Sequence, residues 1–446
     1  MVKMSLHKKP VPKSKLRLSV TSLSQYIRLE NCERFLRLRL CPDEEKAMLK
    51  RWGLTIQPLT PLLRESGTEF EEAVATEIAK QGEQVVDLDG ENVQSTIEWL
   101  NKSRKPTTLL QPVLEASLGN QICSGRADVV RLQRDRKSHL HILVVDIKAS
   151  RHERMEHRLQ IAIYARLLQE LCAAQGITVG SIKGAVLHIQ EDGSIPSLDP
   201  VTSTFNLDTY MTIVDHLVVN DDAVINRVAR LPFEDVPYHV GYKCDGCLYN
   251  AICMYDSAAR LDLSLVPYLS AVEKRVLHDA GIKTVPQLAS LMNLPKRNSG
   301  QPDLTVASGQ EATVEVLTNK WPVGQNLPLL VQRTRQVLKR FDSSIEAARF
   351  IYGPNFGTLP HDDEHPDLIK IFFDAQRDYL QDRVYLISAL ILGPEGERLV
   401  VHTTDGPPTE KSEQELLVAW IAEIIAAMRQ VAAAESAPIH LYCYNR

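Results

Sequence analysis

Residues 139–150 read HLHILVVDIKAS, an apolar, β-branched run with an acidic and a basic residue near its end. A similar run, GRADVVRL at 125–132, precedes it, and the charged stretch QRDRKS lies between the two. Runs of this composition joined by a short polar segment are typical of a β-hairpin. We therefore expect two neighbouring strands to pair here.

Asp146 and Lys148 stand two residues apart on the second predicted strand. Alternate residues of a strand point to the same face, so both side chains enter one pocket. Pairing of the two strands brings Asp128 beside them. Two carboxylates this close repel each other unless a cation lies between them, and oxygen ligands favour Mg²⁺ or Mn²⁺. The sequence therefore predicts a divalent-metal site in which Lys148 positions, or helps to deprotonate, a water molecule.

The alternative interpretation of Asp146 and Lys148 is an ion pair on the surface of a strand. Two features weigh against it. The residues before Asp146 are apolar, as in a central strand, where an unpaired carboxylate costs free energy. A long amphipathic helix predicted at about 153–174 carries Gln160 and Tyr164 four residues apart, hence on one face.

The order GRAD, VVDIKAS and Gln160-x-x-x-Tyr164 resembles the RecB-like branch of the PD-(D/E)xK nuclease superfamily. The resemblance implies an α/β fold with a restriction-endonuclease-like core, in which helices flank a mixed sheet. In that branch a glycine of the first helix is followed four residues later by His or Glu. Gly67 and Glu71 match this motif.

The resemblance also implies a role for each residue of the predicted site. The metal ligands for Mg²⁺ or Mn²⁺ would be Glu71, Asp128 and Asp146. Lys148 would be catalytic. Gln160 and Tyr164 would position DNA. The backbone carbonyl of Ile147 is a further candidate ligand. Glu69 and Glu72 compete with Glu71 for the position on the first helix.

Three of the eight cysteines are clustered as Cys244-x2-Cys247-x5-Cys253. A CxxC motif places two thiolates on one metal or cluster edge, and the third lies within reach on the following turn. Such clustering in a long chain without a secretory signal favours a metal site in a reducing compartment, the cytoplasm, over disulfides. Cys32 is the favoured fourth ligand and Cys41 its rival. On geometry alone, an iron–sulfur cluster and a structural Zn²⁺ site are equally compatible with four thiolates.

The setting of Cys32, NCERFLRL after TSLSQYI, resembles the N-terminal cysteine motif of AddB and of the CRISPR-associated iron–sulfur nucleases. The resemblance implies a structural 4Fe–4S cluster that joins the two ends of the nuclease domain; its ligands would be Cys32, Cys244, Cys247 and Cys253. Structural Zn²⁺ remains the alternative. The other cysteines are expected to be buried small apolar residues; they are Cys123, Cys172 and Cys443.

The C-terminal stretches IKIFFDAQRD and VYLISALILG resemble strands of a ribonuclease H-like exonuclease domain of the DEDD type. Asp374 matches the first acidic position, but Gln376 stands where that family has Glu. A two-metal site needs several carboxylates. We therefore expect this domain to be incomplete and inactive. Before it, LHDAGIKTVPQLASL is similar to a helix–hairpin–helix module, which can bind phosphate through backbone amides, although a plain packing module fits equally well.

A chain of 446 residues is too long for one ordinary core. The predicted order is a basic flexible tail at 1–17, the RecB-like nuclease domain with its cysteine clamp at 18–258, a helix–hairpin–helix-like module at 259–296, a linker with a helical connection at 297–365, and a partial ribonuclease H-like domain at 366–446.

The net charge of −5 gives no global basic field, but a local basic groove beside an acidic metal site is compatible with this total. No apolar run approaches the ~20 residues that a membrane span needs. We predict a metal-dependent deoxyribonuclease, and specifically an exonuclease, acting on single-stranded or frayed DNA ends in repair, recombination or defence. The resemblance implies a helicase domain or subunit as partner. The alternatives are a catalytically idle DNA-binding or scaffold module that feeds a helicase and, last, a ribonuclease acting through the C-terminal domain.

Overall fold

The computed structural model describes residues 16–56, 61–80, 84–150, 152–190, 194–198, 204–293, 304–342, 344–345, 365–378 and 383–443, with side chains from residue 67 onward in the second range. The chain divides into two compact units, residues 1–351 and 352–446. Of the predicted basic tail, residues 1–15 lie outside the described ranges. Leu16 and Arg17, which the sequence assigned to that tail, form the start of the first strand.

The first unit contains both strands and helices. Its strands are β1 (Leu16–Ser19), β2 (Gln84–Asp87), β3 (Thr107–Leu110), β4 (Val113–Leu118), β5 (Gln121–Arg126), β6 (Val129–Arg134), β7 (Leu140–Lys148), β8 (Val179–His188), β9 (Met292–Asn293) and β10 (Thr305–Val306). Its helices are α1 (Val20–Arg28), α2 (Glu33–Leu40), α3 (Pro42–Trp52), α4 (Pro61–Ala79), α5 (Val93–Lys102), α6 (Met155–Ala174), α7 (Asp208–Val214), α8 (Val224–Arg230), α9 (Asn250–Arg260), α10 (Ala271–Asp279), α11 (Val285–Ala289), α12 (Glu311–Thr318) and α13 (Val323–Phe341).

A five-stranded mixed sheet in the order β2-β3-β6-β7-β8 forms the centre of this unit. Strands β6 and β7 pair antiparallel, as the hairpin prediction required, and β8 pairs parallel with β7. The predicted helix at 153–174 is present as α6 and makes the connection between these parallel strands. Strand β7 is buried along one face from Leu140 to Asp146 and also at Val145 and Ile147 on the other, which explains its nearly continuous apolar sequence. Asp146 lies at the buried end of this run.

A second sheet, in the order β1-β5-β4, brings the start of the chain into the same core. Strand β1 pairs parallel with β5, with Leu18 opposite Cys123. Helix α1 begins directly after β1, and the Ser19 hydroxyl caps it by accepting the Ser22 N–H at 3.1 Å. The segment that carries Cys32 is therefore held against the core of the first unit by both a strand and a helix.

Residues 263–338 contribute a separate apolar core made by α10, α11, α12 and α13. Gly281, with φ +84°, allows the tight turn between α10 and α11 within the stretch that resembles a helix–hairpin–helix module. Helices α12 and α13 lie in the segment predicted as a linker and pack into this core. The remaining parts of that predicted linker, at 297–303, 343 and 346–364, lie outside the described ranges.

The second unit consists of β11 (Ile369–Asp378), β12 (Arg383–Gly393), β13 (Gly396–Thr403), α14 (Glu410–Val431) and β14 (Ile439–Cys443). Its sheet has the order β13-β12-β11-β14, with β14 parallel to β11 and the other pairs antiparallel. Helix α14 packs on one face of the sheet, where Ile371 and Ile391 are buried.

The three cysteines outside the proposed cluster differ in their environments. Cys123 and Cys172 are buried, as expected. The expectation for Cys443 is wrong, because this residue lies at the end of β14, the outer strand of its described sheet, where its side chain is exposed. Among the residues that the structure describes, no helix combines the length and apolar character needed to cross a membrane.

Candidate functional site

Asp128, Asp146 and Lys148 converge where β6 begins and β7 ends. The Lys148 Nζ donates to Asp146 Oδ1 at 2.8 Å and lies 3.8 Å from Asp128 Oδ2. Asp128 Oδ2 also accepts the backbone N–H of Ile147 at 2.6 Å, which fixes the first carboxylate against the neighbouring strand. Asp146 is only 1% exposed. These contacts exclude the interpretation of Asp146 and Lys148 as a surface ion pair.

The electrostatics of this centre favour a bound cation. Burial raises the pKa of Asp146, and the charge of Asp128 raises it further, while Lys148 opposes both. Burial tends to lower the pKa of Lys148, but the charges of Asp146 and Asp128 outweigh burial and raise it. Asp146 Oδ2 is buried and has no hydrogen-bond partner among the described residues. The amine therefore remains charged, and one carboxylate oxygen remains available to a ligand.

Helix α4 brings a third carboxylate, Glu71, toward the same place. Burial raises the pKa of Glu71 to about 7, and the charge of Asp128 raises it in the same direction while Lys148 lowers it. The competing residues Glu69 and Glu72 are exposed. Of the three glutamates on this turn, Glu71 is therefore the one that is partly buried and lies near the charges of Asp128 and Lys148.

Gln160 and Tyr164 lie on the face of α6 that the spacing predicted, but their contacts are internal. Gln160 Nε2 donates to Asp146 Oδ1 at 3.1 Å. The Tyr164 hydroxyl donates to the backbone carbonyl of Arg126 at 2.6 Å, and the side chain is only 2% exposed. A Cβ on Gly125 would lie 2.9 Å from a Tyr164 ring carbon, so glycine is needed at this position for the ring to fit. Both side chains therefore support the carboxylates and the strand that carries them.

His157 is a neighbour of this centre that the sequence analysis missed. It lies three residues before Gln160 on α6, hence on an adjacent part of the same helix face. Burial, and then the charge of Lys148, lowers its pKa to about 4. The imidazole is therefore neutral at neutral pH. Its spacing of three residues from Gln160 on α6 is the sequence signal that identifies it.

The four cysteines predicted to share a metal influence one another electrostatically. Burial raises the pKa of Cys253 most, and the charges of Cys32, Cys247 and Cys244 raise it further. The pKa of Cys247 is raised by burial to about 11, with contributions from Cys32 and Cys244. The thiol of Cys32, near the start of the first unit, thus lies within interaction range of the thiols of Cys247 and Cys253.

Backbone N–H groups also surround these sulfur atoms. Cys32 is the residue that precedes α2, and its thiol accepts backbone hydrogen bonds from Phe35 and Arg34. The Tyr249 N–H donates to Cys247 Sγ at 3.4 Å. Burial raises the pKa of the rival ligand Cys41, and Cys41 is not among the charges that raise the pKa of Cys32, Cys247 or Cys253, whereas Cys244 is. This difference favours Cys32 over Cys41 as the fourth member of the group.

Within the described ranges, no group of three or more His, Cys, Asp or Glu side chains is arranged closely enough to hold a metal ion. The donor set at the β6–β7 junction nevertheless fits Mg²⁺ or Mn²⁺ in its chemistry. All candidate ligands there are oxygens, which these ions prefer. The unpaired Asp146 oxygen is a buried acceptor that a cation would satisfy.

The profile of the PD-(D/E)XK nuclease superfamily matches residues 47–254. This stretch, which includes the converging carboxylates and lysine, is therefore a domain of that superfamily, whose members are usually metal-dependent nucleases. No curated protein matches the chain significantly. A solved structure titled "Crystal structure of SSO0001" is 18% identical over 54% of this chain and 87% of that chain, with a TM-score of 0.22. A similarity of this size supports no further conclusion.

Proposed function

We propose that this protein is a divalent-metal-dependent deoxyribonuclease of the RecB-like branch, with Asp128, Asp146 and Lys148 at its active centre. The observation that carries this proposal is the convergence of these three side chains at the buried end of β7. Two carboxylates and an ammonium group in one largely buried place cost free energy unless they serve a ligand. A phosphodiester with its metal ion is the ligand that suits this charge pattern.

Each group has a distinct role in the proposed reaction. Glu71, Asp128 and Asp146 hold Mg²⁺ or Mn²⁺, with the Ile147 carbonyl as a further candidate ligand. The ion, when bound, supplies an activated water and neutralises charge on the phosphate. Lys148 keeps its proton because Asp146 and Asp128 surround it, so it orients the attacking water and stabilises negative charge.

Gln160 and Tyr164 act mainly on the protein's own groups in this proposal. Gln160 holds the Asp146 oxygen that also accepts from Lys148, and so restricts where the carboxylate points. Tyr164 holds the end of β5, two residues before Asp128, through the Arg126 carbonyl. Positioning of DNA, the role that the family resemblance implied for this pair, would then follow indirectly from the orientation of the metal ligands.

We also propose that Cys32, Cys244, Cys247 and Cys253 bind a 4Fe–4S cluster with a structural role. The mutual influence of the four thiols supports a shared ligand. The resemblance of the Cys32 segment to iron–sulfur nucleases is what favours a cluster over structural Zn²⁺. Anaerobic purification should give coloured protein that contains iron and acid-labile sulfide. Colourless protein loaded with zinc would contradict the cluster and favour the alternative.

The second unit is proposed to be a ribonuclease H-like domain without activity. Its support is the strand order β13-β12-β11-β14, with an antiparallel meander followed by a helix and a parallel strand. Asp374 lies on β11, but the Gln376 amide occupies the second acidic position and donates to Asp374 Oδ2 at 2.7 Å. A role in binding a helicase or DNA remains compatible with such a unit.

We propose single-stranded or frayed DNA ends as substrate, exonucleolytic cleavage, and a helicase as partner in repair, recombination or defence. These finer assignments rest on the family resemblance and on the clamp that the cysteine group would form around the domain. A clamp that joins the two ends of the nuclease domain would restrict access of intact duplex DNA. The helix–hairpin–helix-like module of α10 and α11 would add contacts with the phosphate backbone.

A single assay tests the central proposal. Wild-type protein and the Asp146→Ala variant are incubated with end-labelled linear and with circular single-stranded DNA, with Mg²⁺, with Mn²⁺ and with EDTA. We expect metal-dependent loss of the linear substrate by wild type alone, and intact circles if cleavage starts at ends. Equal cleavage by Asp146→Ala would refute the active centre. Binding of DNA without cleavage by wild type would instead favour the idle scaffold.

A further inference from the structure

Arg34 is a fully buried cation whose hydrogen-bonding capacity is only partly used. Its side chain is 0% exposed, and its Nη1 donates to Asp256 Oδ2 at 2.6 Å. Its guanidinium carbon lies 3.4 Å from the ring centroid of Tyr238 and 4.3 Å from that of Phe233. The Nε and Nη2 atoms are buried without a hydrogen-bond partner among the described residues. Because a guanidinium has five N–H donors, leaving donors on two of its three nitrogens unpaired in the interior costs free energy.

The position of Arg34 places this unused capacity beside the cysteine group. Arg34 follows Cys32 by two residues, and its backbone N–H donates to that thiol. Its partner Asp256 lies on α9, three residues after Cys253 and so on the same side of that helix. The guanidinium of Arg34 lies close enough to Cys253 for their charges to interact. Arg34 therefore lies between the cysteine at the start of the domain and a cysteine at its end.

Four thiolates around either proposed metal centre need compensation for their charge. Four thiolates with Zn²⁺, or with an oxidised 4Fe–4S core, carry a net charge of about −2. A buried anion of this size is stabilised by N–H donors and by a nearby cation, which also shift the reduction potential of an iron–sulfur cluster. Asp256 does not use up the charge of Arg34, because Asp256 also accepts from Arg260.

We propose that Arg34 is the buried counter-ion of the four-thiolate centre, to which its unpaired N–H groups remain available. This inference rests on the proposed cysteine centre and adds a positioning residue to it. Through Asp256, the same side chain ties the start of α2 to α9. The same residue thus compensates the charge of the metal centre and helps to hold the two ends of the domain together.

The test uses the full chain, purified anaerobically, in wild type and in the variants Arg34→Gln, Arg34→Lys and Arg227→Gln. The measurements are iron, sulfide and zinc per chain, the rate of metal loss to a chelator and the reduction potential of the cluster. Arg34→Gln should lose metal roughly 10- to 100-fold faster than wild type and shift the potential to more negative values. Arg34→Lys keeps the charge without the planar donor fork, so it should lie between the two.

Arg227→Gln is the matched control for removal of an ion pair on the same helix. Arg227 binds Glu33, the first residue of α2, through two hydrogen bonds of 2.8 and 2.7 Å. Its loss should leave metal content, chelation rate and potential as in wild type. Loss of metal by this variant to the extent seen in Arg34→Gln would show that any weakening of α2 releases the metal, and would overturn the specific role of Arg34.

The variant Asp256→Asn distinguishes two possible roles of Arg34. One is compensation of the thiolate charge, and the other is only a bridge between α2 and α9. If Arg34 only bridges α2 to α9, Asp256→Asn should reproduce both the faster metal loss and the negative shift in potential. If Arg34 compensates the thiolates, removal of the nearby negative charge should shift the potential in the opposite, positive direction. The proposal therefore predicts opposite signs for the two variants. Shifts of the same sign would overturn it.

The possible failures are distinguishable. Wild-type protein that binds neither iron nor zinc contradicts the cysteine centre itself and the role of Arg34 with it. Loaded wild type together with an Arg34→Gln variant of unchanged chelation rate and potential contradicts the role of Arg34 alone. If Arg34→Gln does not fold, Arg34→Lys supplies the comparison, and unchanged chelation by that variant contradicts the need for the planar fork. If the bound metal is zinc, the rate of metal loss to the chelator is the measurement that tests the role of Arg34.

Discussion

Strands β7 and β11 each carry an aspartate followed two positions later by a polar residue, and of these two pairs only the one on β7 belongs to the candidate site. On β7 the pair is Asp146 and Lys148, and on β11 it is Asp374 and Gln376. In both places alternation aims the two side chains to one face of the sheet. The spacing is therefore the same, while the surroundings differ.

The difference lies in burial and in what other elements contribute. Asp146 is 1% exposed, and the neighbouring strand and helix supply Asp128 and Gln160. Asp374 is exposed, and its carboxylate accepts from the Gln376 amide of its own strand. A two-residue spacing thus aims side chains, but a catalytic centre requires a second carboxylate from another strand and enough burial to perturb the charges.

The largest expected effect is a difference in cleavage rate between substitutions of Lys148 and of Gln376, the residues two positions after these aspartates. Lys148→Ala should lower the initial rate of Mg²⁺-dependent cleavage of single-stranded DNA about 100- to 1000-fold, because an ammonium beside the reacting phosphate is lost. Gln376→Ala should leave the rate unchanged. The rates are compared at saturating Mg²⁺ after circular dichroism has shown both variants to be folded. A similar loss in both variants would mean that the two strands act together.

The next prediction compares Glu71 with Glu413, whose charges should have opposite effects on the free energy of unfolding. The pKa of Glu71 is raised to about 7, so its charge destabilises the metal-free folded state as pH rises above the ordinary value, and fully so above about pH 7. Glu71→Gln should therefore stabilise metal-free protein at pH 8, by about 1–3 kcal/mol, with the gain gone below about pH 4.5. It should also weaken stabilisation by added Mg²⁺.

Glu413 in the second unit is the matched control with the opposite sign. The backbone N–H of Val384, and then Arg383, lower its pKa. Its charge therefore stabilises the folded state above the ordinary pKa, and this contribution is lost as pH falls. Glu413→Gln should destabilise the protein at pH 8. Thermal unfolding in EDTA at pH 8 and pH 5 measures both variants, and a destabilised Glu71→Gln at pH 8 would contradict the position assigned to Glu71.

A smaller effect is expected from adding a methyl group behind the site. In Gly125→Ala the new Cβ would lie 2.9 Å from a Tyr164 ring carbon and from the Val20 Cβ, so the packing must shift. We expect a loss of about 1–3 kcal/mol in the free energy of unfolding. Gly406→Ala in the second unit, where a Cβ meets nothing within 4 Å, should be close to neutral. Equal stabilities in chemical denaturation would show that Tyr164 is not held as described.

The smallest expected effect is none at all. Gln376→Glu restores the acidic spacing in the second unit, and in a Lys148→Ala background it should return no cleavage of DNA or RNA. Asp374 and the new carboxylate would be exposed, without the buried partners that surround Asp146. Metal-dependent activity in this double variant would show that spacing alone suffices, against the lesson drawn from the two strands.

The hairpin of β6 and β7 and the meeting of Asp128 with Lys148 could be predicted from the sequence, because alternation and a short polar connection determine both. The pairing of β1 with β5 could not, since a four-residue strand that pairs about a hundred residues away leaves no local pattern. The helical period identified the face of α6, but it could not show that Tyr164 reaches a backbone carbonyl. Exposure of Cys443 depends on where the sheet ends, which local composition does not report.

The ion pair between Arg34 and Asp256 joins positions 222 residues apart. During synthesis, Arg34 on the second helix therefore has no ion-pair partner until most of the superfamily domain has emerged. Closure over such a separation is slow compared with local helix formation. A recombinant version trimmed to the start of the superfamily match at residue 47 would lack both β1 and Cys32, so the shortest version worth purifying begins before residue 16 and extends past residue 260.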